Sequence, residues 1–319
     1  MRLAPAWIRE LAILPALVAL IIAGAFVNPH FLSPRNVVDI LAASSALALV
    51  VLGEALVLIS GKFDLSLEST VGLAPAIGVL LVASVADRGW GIMLSPAVAL
   101  LCVIGFGALV GALNAALIVR LRLNAFIVTL AMLIVLRGLL VGLTKGNTLF
   151  SLPPSFAFLG SQTWLSIPVC VWLAAIVYIA AAVMLGYHRW GRSLYAIGGN
   201  IEAARAAGIR VDTIRWSAFI LAGILASVAG LILAGRLGAV SANQGNGMIF
   251  TVFAAAVIGG ISLDGGRGSV LGALGGVLLL GVLENVLTLA QVQTFWVQAI
   301  YGVIILLSLV FARVATGEE

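Results

Sequence analysis

The sequence predicts an all-α integral membrane protein, one domain over 1–319, of about ten transmembrane helices. A short capped helix is expected at the inner face between the sixth and seventh. Of 319 residues, 63% are hydrophobic and only 9% charged, with a mean hydropathy of +1.23. A water-soluble domain of that length needs far more charged surface. The apolar runs are continuous and of helix length, without the alternation that marks the strands of an outer-membrane barrel. Twelve of the seventeen Lys and Arg residues fall on alternate connections, the inner ones, four fall on the outer ones and Arg137 lies within a span. That asymmetry orients a polytopic chain with both termini inside.

Arg2, Arg9 and Glu10 precede the first span, 11–27. Ala23 and Ala25 carry an A-x-A cleavage pattern, but the apolar run is longer than a usual signal core, and an uncleaved anchor is expected. NPHFLSPRN (28–36) turns on the outer side. The second span, 37–60, is reversed at the inner face by GKFD (61–64), after which Asp64 or Ser66 can cap a third span running to 86. DRGWG (87–91) is a tight outer turn. The uncharged fourth span, 92–119, is long enough to tilt. RLR (120–122) is an inner basic turn before the fifth span, 124–144. The longest outer connection, 145–164, contains Pro153 and Pro154, which are expected to prevent a regular helix through it.

The sixth span, 165–185, leads into GYHRWGRSLYAIGGNIEAARAAGIRVDTIR (186–215), which holds five of the seventeen Lys and Arg residues. Within it Asn200 can act as N-cap, Glu202 lies in the first turn, and Gly208 supplies a left-handed stop. Glu202 and Arg205, three apart, can pair on one exposed face. Such a helix has no lipid to face, and its expected role is to meet a soluble partner. The seventh span is 214–234. LGAVSANQGNG (237–247) loops outside. The eighth, 248–263, is short enough to enter at an angle or to be sheltered from lipid. DGGRG (264–268) turns it at the inner face. The ninth is 269–290 and the tenth 295–312. GKFDLSLEST (61–70) and GGISLDGGRGS (259–269) echo each other at inner turns, through duplication or through shared glycine and serine alone.

The net charge of +5 follows the orientation rule rather than forming a nucleic-acid patch, so no nucleic-acid partner is expected. No phosphate-binding G-x-x-x-x-G-K-[ST] loop, H-E-x-x-H motif or G-x-S-x-G elbow occurs. His30 and His188 are expected on opposite sides of the membrane. Cys102 and Cys170 sit singly in apolar blocks and read as packing residues. No catalytic residue, metal site or cofactor is indicated, which argues against an enzyme.

GRSLYAIGGNIEAARAAGIRV (191–211) resembles the cytoplasmic loop of permease subunits in ATP-binding-cassette importers of the ribose/xylose/arabinose type. IGGISLDGGRGSVLGALGGVLLLGVLENVL (258–287) resembles the late spans of the same family, and GKFDLSLEST and TLAMLIVLRGL (129–139) fit more loosely. The resemblance implies a bacterial cytoplasmic-membrane permease domain of about ten helices, two such subunits per pore as a homo- or heterodimer, two cytoplasmic ATPases and an external solute-binding protein. The cargo it implies is a monosaccharide or a similar polyhydroxyl solute. It also implies a coupling element comprising Asn200, Glu202, Ala203, Ala204, Arg205 and Gly208, flanked by Gly198 and Gly199 and resting in a groove of the ATPase. Turns at Gly191 and Gly208 would pass its displacement to the neighbouring spans. Lys62 and Glu68 depart from glycines common in the family, so the inner turn at 61–68 is expected to pack differently. The alternative is a secondary carrier driven by an ion gradient, with Glu54 or Glu284 as its proton site.

Charges within spans need partners or water, because an unpaired one costs ~2.5–3.5 kcal/mol at mid-membrane on insertion scales. Glu54, Asn114, Glu284 and Asn285 therefore either line the solute path or tie helices together. Glu54 is also a candidate counter-ion for Arg137, which otherwise snorkels to the outer headgroups. Asp39 reads as interfacial. Phe26, Trp90, Trp164, Trp172 and Trp296 read as belt anchors, with Trp164 or Phe156 able to stack on a sugar ring near the outer mouth.

Overall fold

The computed structural model describes residues 13–293 and, beyond them, 296, 297, 299–303 and 306. The chain is mostly helical: α1 (Ile13–Val27), α2 (Pro34–Ile59), α3 (Leu67–Val82), α4 (Pro96–Ala115), α5 (Ala125–Thr144) and α6 (Pro154–Ser161) are followed by a two-stranded hairpin, β1 (Thr163–Trp164) and β2 (Ile167–Pro168). Then come α7 (Val169–Tyr187), α8 (Arg189–Gly199), α9 (Ile201–Ala206), α10 (Val211–Leu237), α11 (Met248–Ile258) and α12 (Val270–Leu289). Among the described residues, six helices are long and apolar enough to cross a bilayer: α2, α4 with the π-turn that extends it to Arg120, α5, α7, α10 and α12. The shorter apolar helices α1, α3 and α11 stand where the first, third and eighth spans are expected. The tenth expected span lies largely outside the described residues, as do Arg2, Arg9, Glu10 and Arg313.

Helix starts follow local chemistry. Ser33 accepts from the Asn36 amide ahead of Pro34, and Asn124 accepts from the Ile127 amide. The prolines of the 145–164 connection do the opposite of what the sequence suggests. Pro154 takes the first helical position of α6, where its missing N–H is no loss, so a two-turn helix begins there. The hairpin that follows turns through Leu165 and Ser166, both with positive φ, and delays α7 to Val169. Pro75 lies inside α3 and cannot donate to the Val71 carbonyl. That freed oxygen accepts instead from Gln244 Nε2 at 2.9 Å.

α10 is the hub, packing against α4, α2, α3 and α6. Gly107 and Gly111 of α4 meet Gly223 of α10 backbone to backbone, and a Cβ at any of the three would run into the facing chain. In lipid, where helices gain nothing by hiding apolar surface from one another, such close approach supplies the packing energy. α2 is buried along most of its length, whereas α4, α5 and α7 turn large apolar side chains such as Leu101, Ile134 and Ile176 outward.

Candidate functional site

The segment 186–215 forms two helices, not one. His188 Nδ1 accepts from the Trp190 amide to start α8, and Asn200 Oδ1 accepts from the Ala203 amide at 2.9 Å to start α9. Gly208, at φ +77°, closes α9 as a Schellman motif, with its own amide on the Arg205 carbonyl and the Ile209 amide on that of Ala204. Glu202 and Arg205 pair at 3.4 Å on the exposed face. Ala204 is buried against Ile197 and Val211, so it anchors the helix from beneath, while Glu202, Ala203 and Arg205 face out.

α8 is joined to two distant turns through glycine. Gly198 packs directly on the Ile59 carbonyl and on Gly266, whose amide donates to that same Ile59 oxygen at 2.9 Å. Gly265 lies against Gly61, and Gly266 against Gly199. Three chain segments thus meet backbone to backbone at a spacing that excludes a Cβ, and Gly61, Gly265 and Gly266 all have positive φ. Arg215 adds hydrogen bonds to the Ser60 carbonyl at 2.9 and 3.3 Å, and Tyr195 donates to the Gly268 carbonyl at 2.9 Å. Close packing at the 61–64 turn therefore survives the substitution at Lys62, which is half-buried and held below the usual lysine range by burial and by the Arg215 charge. The contact between α8 and these turns runs through Gly198. Gly191 packs against the end of α7, and no atom lies near the face of Gly208 where a Cβ would stand.

The four polar residues expected along the path occupy three places. Glu54 and Asn114 share a buried centre with Asp64 and Ser66. The Asp64 amide donates to Glu54 Oε1 at 3.3 Å, and Ser66 donates to Asp64 Oδ1 from both its amide (3.1 Å) and its hydroxyl (2.6 Å). Asn114 Nδ2 reaches Asp64 at 3.1 and 3.2 Å and Ser66 Oγ at 2.8 Å, just before the π-turn of α4. Asn285 forms a reciprocal amide pair with Asn36 at 2.9 and 3.0 Å, tying α12 to α2. Glu284 is exposed, accepts from Tyr301 at 3.3 Å, and lines a cavity of about 220 Å³ with Ser44, Leu233, Met248, Thr251 and Gly281.

Arg137 corrects two expectations. Its partner is Glu68 at 3.1 Å, not Glu54, and it turns inward rather than to the headgroups. Its second amino group donates to the Gln244 carbonyl at 3.1 Å, while Glu68 Oε2 accepts from the Ile249 amide at the start of α11. Gln244 Nε2 bridges the Val71 and Gly230 carbonyls. Nothing in the spacing singled out Gln244, and the one available signal for Glu68 was an unpaired arginine on another helix. Phe156 is fully buried and cannot stack on a solute. Trp164 is exposed and packs tilted against Trp172, with ring centroids 5.5 Å apart and the rings at 56°.

Residues 36–309 match the family described as branched-chain amino acid transport system / permease component. The chain belongs to this permease family. It is 36% identical over 307 residues to the ribose import permease protein RbsC of Escherichia coli strain K12, covering 95% of this chain and 93% of the relative. It is 35% identical over 304 residues to the autoinducer 2 import system permease protein LsrC of Yersinia enterocolitica, covering 95% of this chain and 82% of the relative. A similar LsrC from Yersinia pseudotuberculosis is 35% identical over 304 residues, covering 95% and 84%. No solved structure matches the chain.

Proposed function

We propose that this chain is the transmembrane subunit of an ATP-binding-cassette importer that carries a monosaccharide or similar polyhydroxyl solute across the bacterial cytoplasmic membrane. In this reading it crosses the membrane about ten times with both termini inside. It pairs with a second permease subunit, identical or related, and is powered by separate cytoplasmic ATPases and supplied by an external solute-binding protein. The observation that carries the reading is α9: a capped, exposed helix whose neighbour α8 is locked by Gly198 onto the turns that end α2 and begin α12. A push on Glu202, Ala203 and Arg205 at its surface, with Asn200 and Gly208 keeping the helix intact, has a stiff route to both turns. Each partner shifts the balance between outward- and inward-open states only by its differential affinity for them.

Solute class is supported by the names of the ribose and autoinducer-2 relatives and by the chemistry around Glu284. The residues lining the Glu284 cavity include no basic side chain to pair with an anionic group. Glu54 and Asn114 fit better as part of a buried hinge among α2, α3 and α4 than as solute contacts, since both are fully buried. Co-reconstituted with the ATPase and binding protein encoded beside it, the chain is expected to accumulate D-ribose or a related polyol only when ATP is supplied on the ATPase side. Uptake driven by an imposed proton gradient without ATP would replace this reading with a secondary carrier.

A further inference from the structure

We infer that the cavity bounded by Ser44, Thr251 and Glu284 is a water-filled station for a neutral polyol inside the permease, with Glu284 as its principal hydrogen-bond acceptor; this rests on the importer reading above. The first ground is the position of the carboxylate. Glu284 is exposed on α12, a helix otherwise apolar enough to span a bilayer. A charged group there is excluded from hydrocarbon and must face water or another polar surface. Arg137, the charge within α5, shows the other solution, being paired inside the protein with Glu68 and the Gln244 carbonyl, whereas Glu284 receives the Tyr301 hydroxyl at 3.3 Å and is otherwise exposed.

The second ground is Ser44. A helical serine commonly returns its hydroxyl to the carbonyl four residues back, as its neighbour Ser45 does to Leu41 at 2.7 Å. Ser44, only 5% exposed, does not: its Oγ has no partner and lies against Gly281, where any Cβ would collide with it. Ser44 lines a cavity of about 220 Å³, several times the ~30 Å³ share of one water, with its unpaired hydroxyl buried behind the wall against the bare glycine. Thr251 supplies a second hydroxyl, and Leu47, Leu233 and Met248 supply an apolar wall. A carboxylate beside two hydroxyls and an apolar face suits vicinal hydroxyls on one side and C–H groups on the other. It disfavours anions.

The third ground is depth. At 1.5 Å per residue, Ser44 lies about 22 Å along α2 from Ile59, and Glu284 about 21 Å along α12 from Val270. Both are far from the glycine junction and near the end that carries the 238–247 loop. The station therefore lies on the side from which an importer receives its cargo.

The test uses the assembled complex in vesicles, with Cys102 and Cys170 replaced by alanine. Single Thr251→Cys and Glu284→Cys variants are treated with a membrane-impermeant cationic thiol reagent, beside Ile134→Cys and Leu271→Cys on exposed apolar faces. Labelling at 251 and 284, at least tenfold faster than at 134 and 271, is expected. Labelling at 251 and 284 as slow as at 134 overturns the water-filled station. In parallel, Glu284→Gln is expected to lower D-ribose uptake at least tenfold while ATP hydrolysis stimulated by the loaded binding protein is kept, and Glu284→Asp to restore part of the uptake. Wild-type uptake by Glu284→Gln overturns the solute role. If the unmodified complex imports no polyol with ATP, the importer reading fails together with the solute role, while the labelling pattern still decides independently whether the cavity holds water.

Discussion

The two ends of this bundle are held together by different mixtures of backbone and side-chain contact. At the end bearing α9, three chain segments meet as bare backbone: Gly198 on the Ile59 carbonyl, Gly265 on Gly61, and Gly266 on Gly199. At the other end buried side-chain ties join in, Arg137 to Glu68 and to the Gln244 carbonyl and Gln244 across to Val71 and Gly230, beside the backbone approach of Gly230 to Val71 and of Gly245 to Glu68. Backbone contact leaves little slack, which suits a joint that must transmit a push. The cavity at Glu284 lies away from the glycine junction. The difference carries its own test. The glycine junction should be damaged by adding atoms, and the buried side-chain ties by removing a partner.

The largest effect is expected from Arg137→Met, which strands the buried Glu68 carboxylate. Removing one partner of a buried pair costs ~3–5 kcal/mol, and thermal unfolding in detergent should show a correspondingly large drop in midpoint. The double variant Arg137→Met, Glu68→Gln should recover much of that loss. A single variant as stable as wild type would show that this pair does not hold these helices together. Next comes Gly198→Ala, where overpacking costs ~1–3 kcal/mol. Uptake should fall well over tenfold while ATP hydrolysis persists. Gly199→Ala, with no atom near its missing Cβ, should leave uptake close to wild type. Equal effects at 198 and 199 would contradict a joint made of backbone contact.

Asn200→Ala removes the cap of α9 and should cost about 1 kcal/mol locally, seen as faster amide exchange over 201–207 and weaker ATPase association. The smallest stability effect belongs to Glu202→Lys with Arg205→Glu. Exposed pairs are worth only ~0.2–1 kcal/mol, so the unfolding midpoint should barely move. ATPase binding should weaken nonetheless if this face meets the partner. Retained binding with both charges reversed would place the ATPase contact elsewhere.

Most helices were legible in the sequence because each is written locally, in apolar length and terminal caps. Asn200, Glu202 and Gly208 announce α9 without reference to anything distant, whereas the Ser33 cap that starts α2 at Pro34 was read as part of the preceding turn. α6 was misread because Pro154 breaks a helix from within yet favours one at its first position, and which of these applies depends on where the helix starts. The partner of Arg137 was misassigned because Glu54 and Glu68 are equally acidic, and nothing in their spacing says which helix lies beside α5.

By itself the sequence determined that this chain is built of apolar helices suited to a membrane and where a charged helix interrupts the apolar blocks, since composition, charge and caps act over a few residues. Only the tertiary structure decided that Gly198 meets Ile59 and Gly266, that Val71 surrenders its carbonyl to Gln244, and that Ser44 and Glu284 border one cavity. Those pairings join segments far apart along the chain. They depend on how closely two backbones can approach, and it is packing in three dimensions that sets that distance.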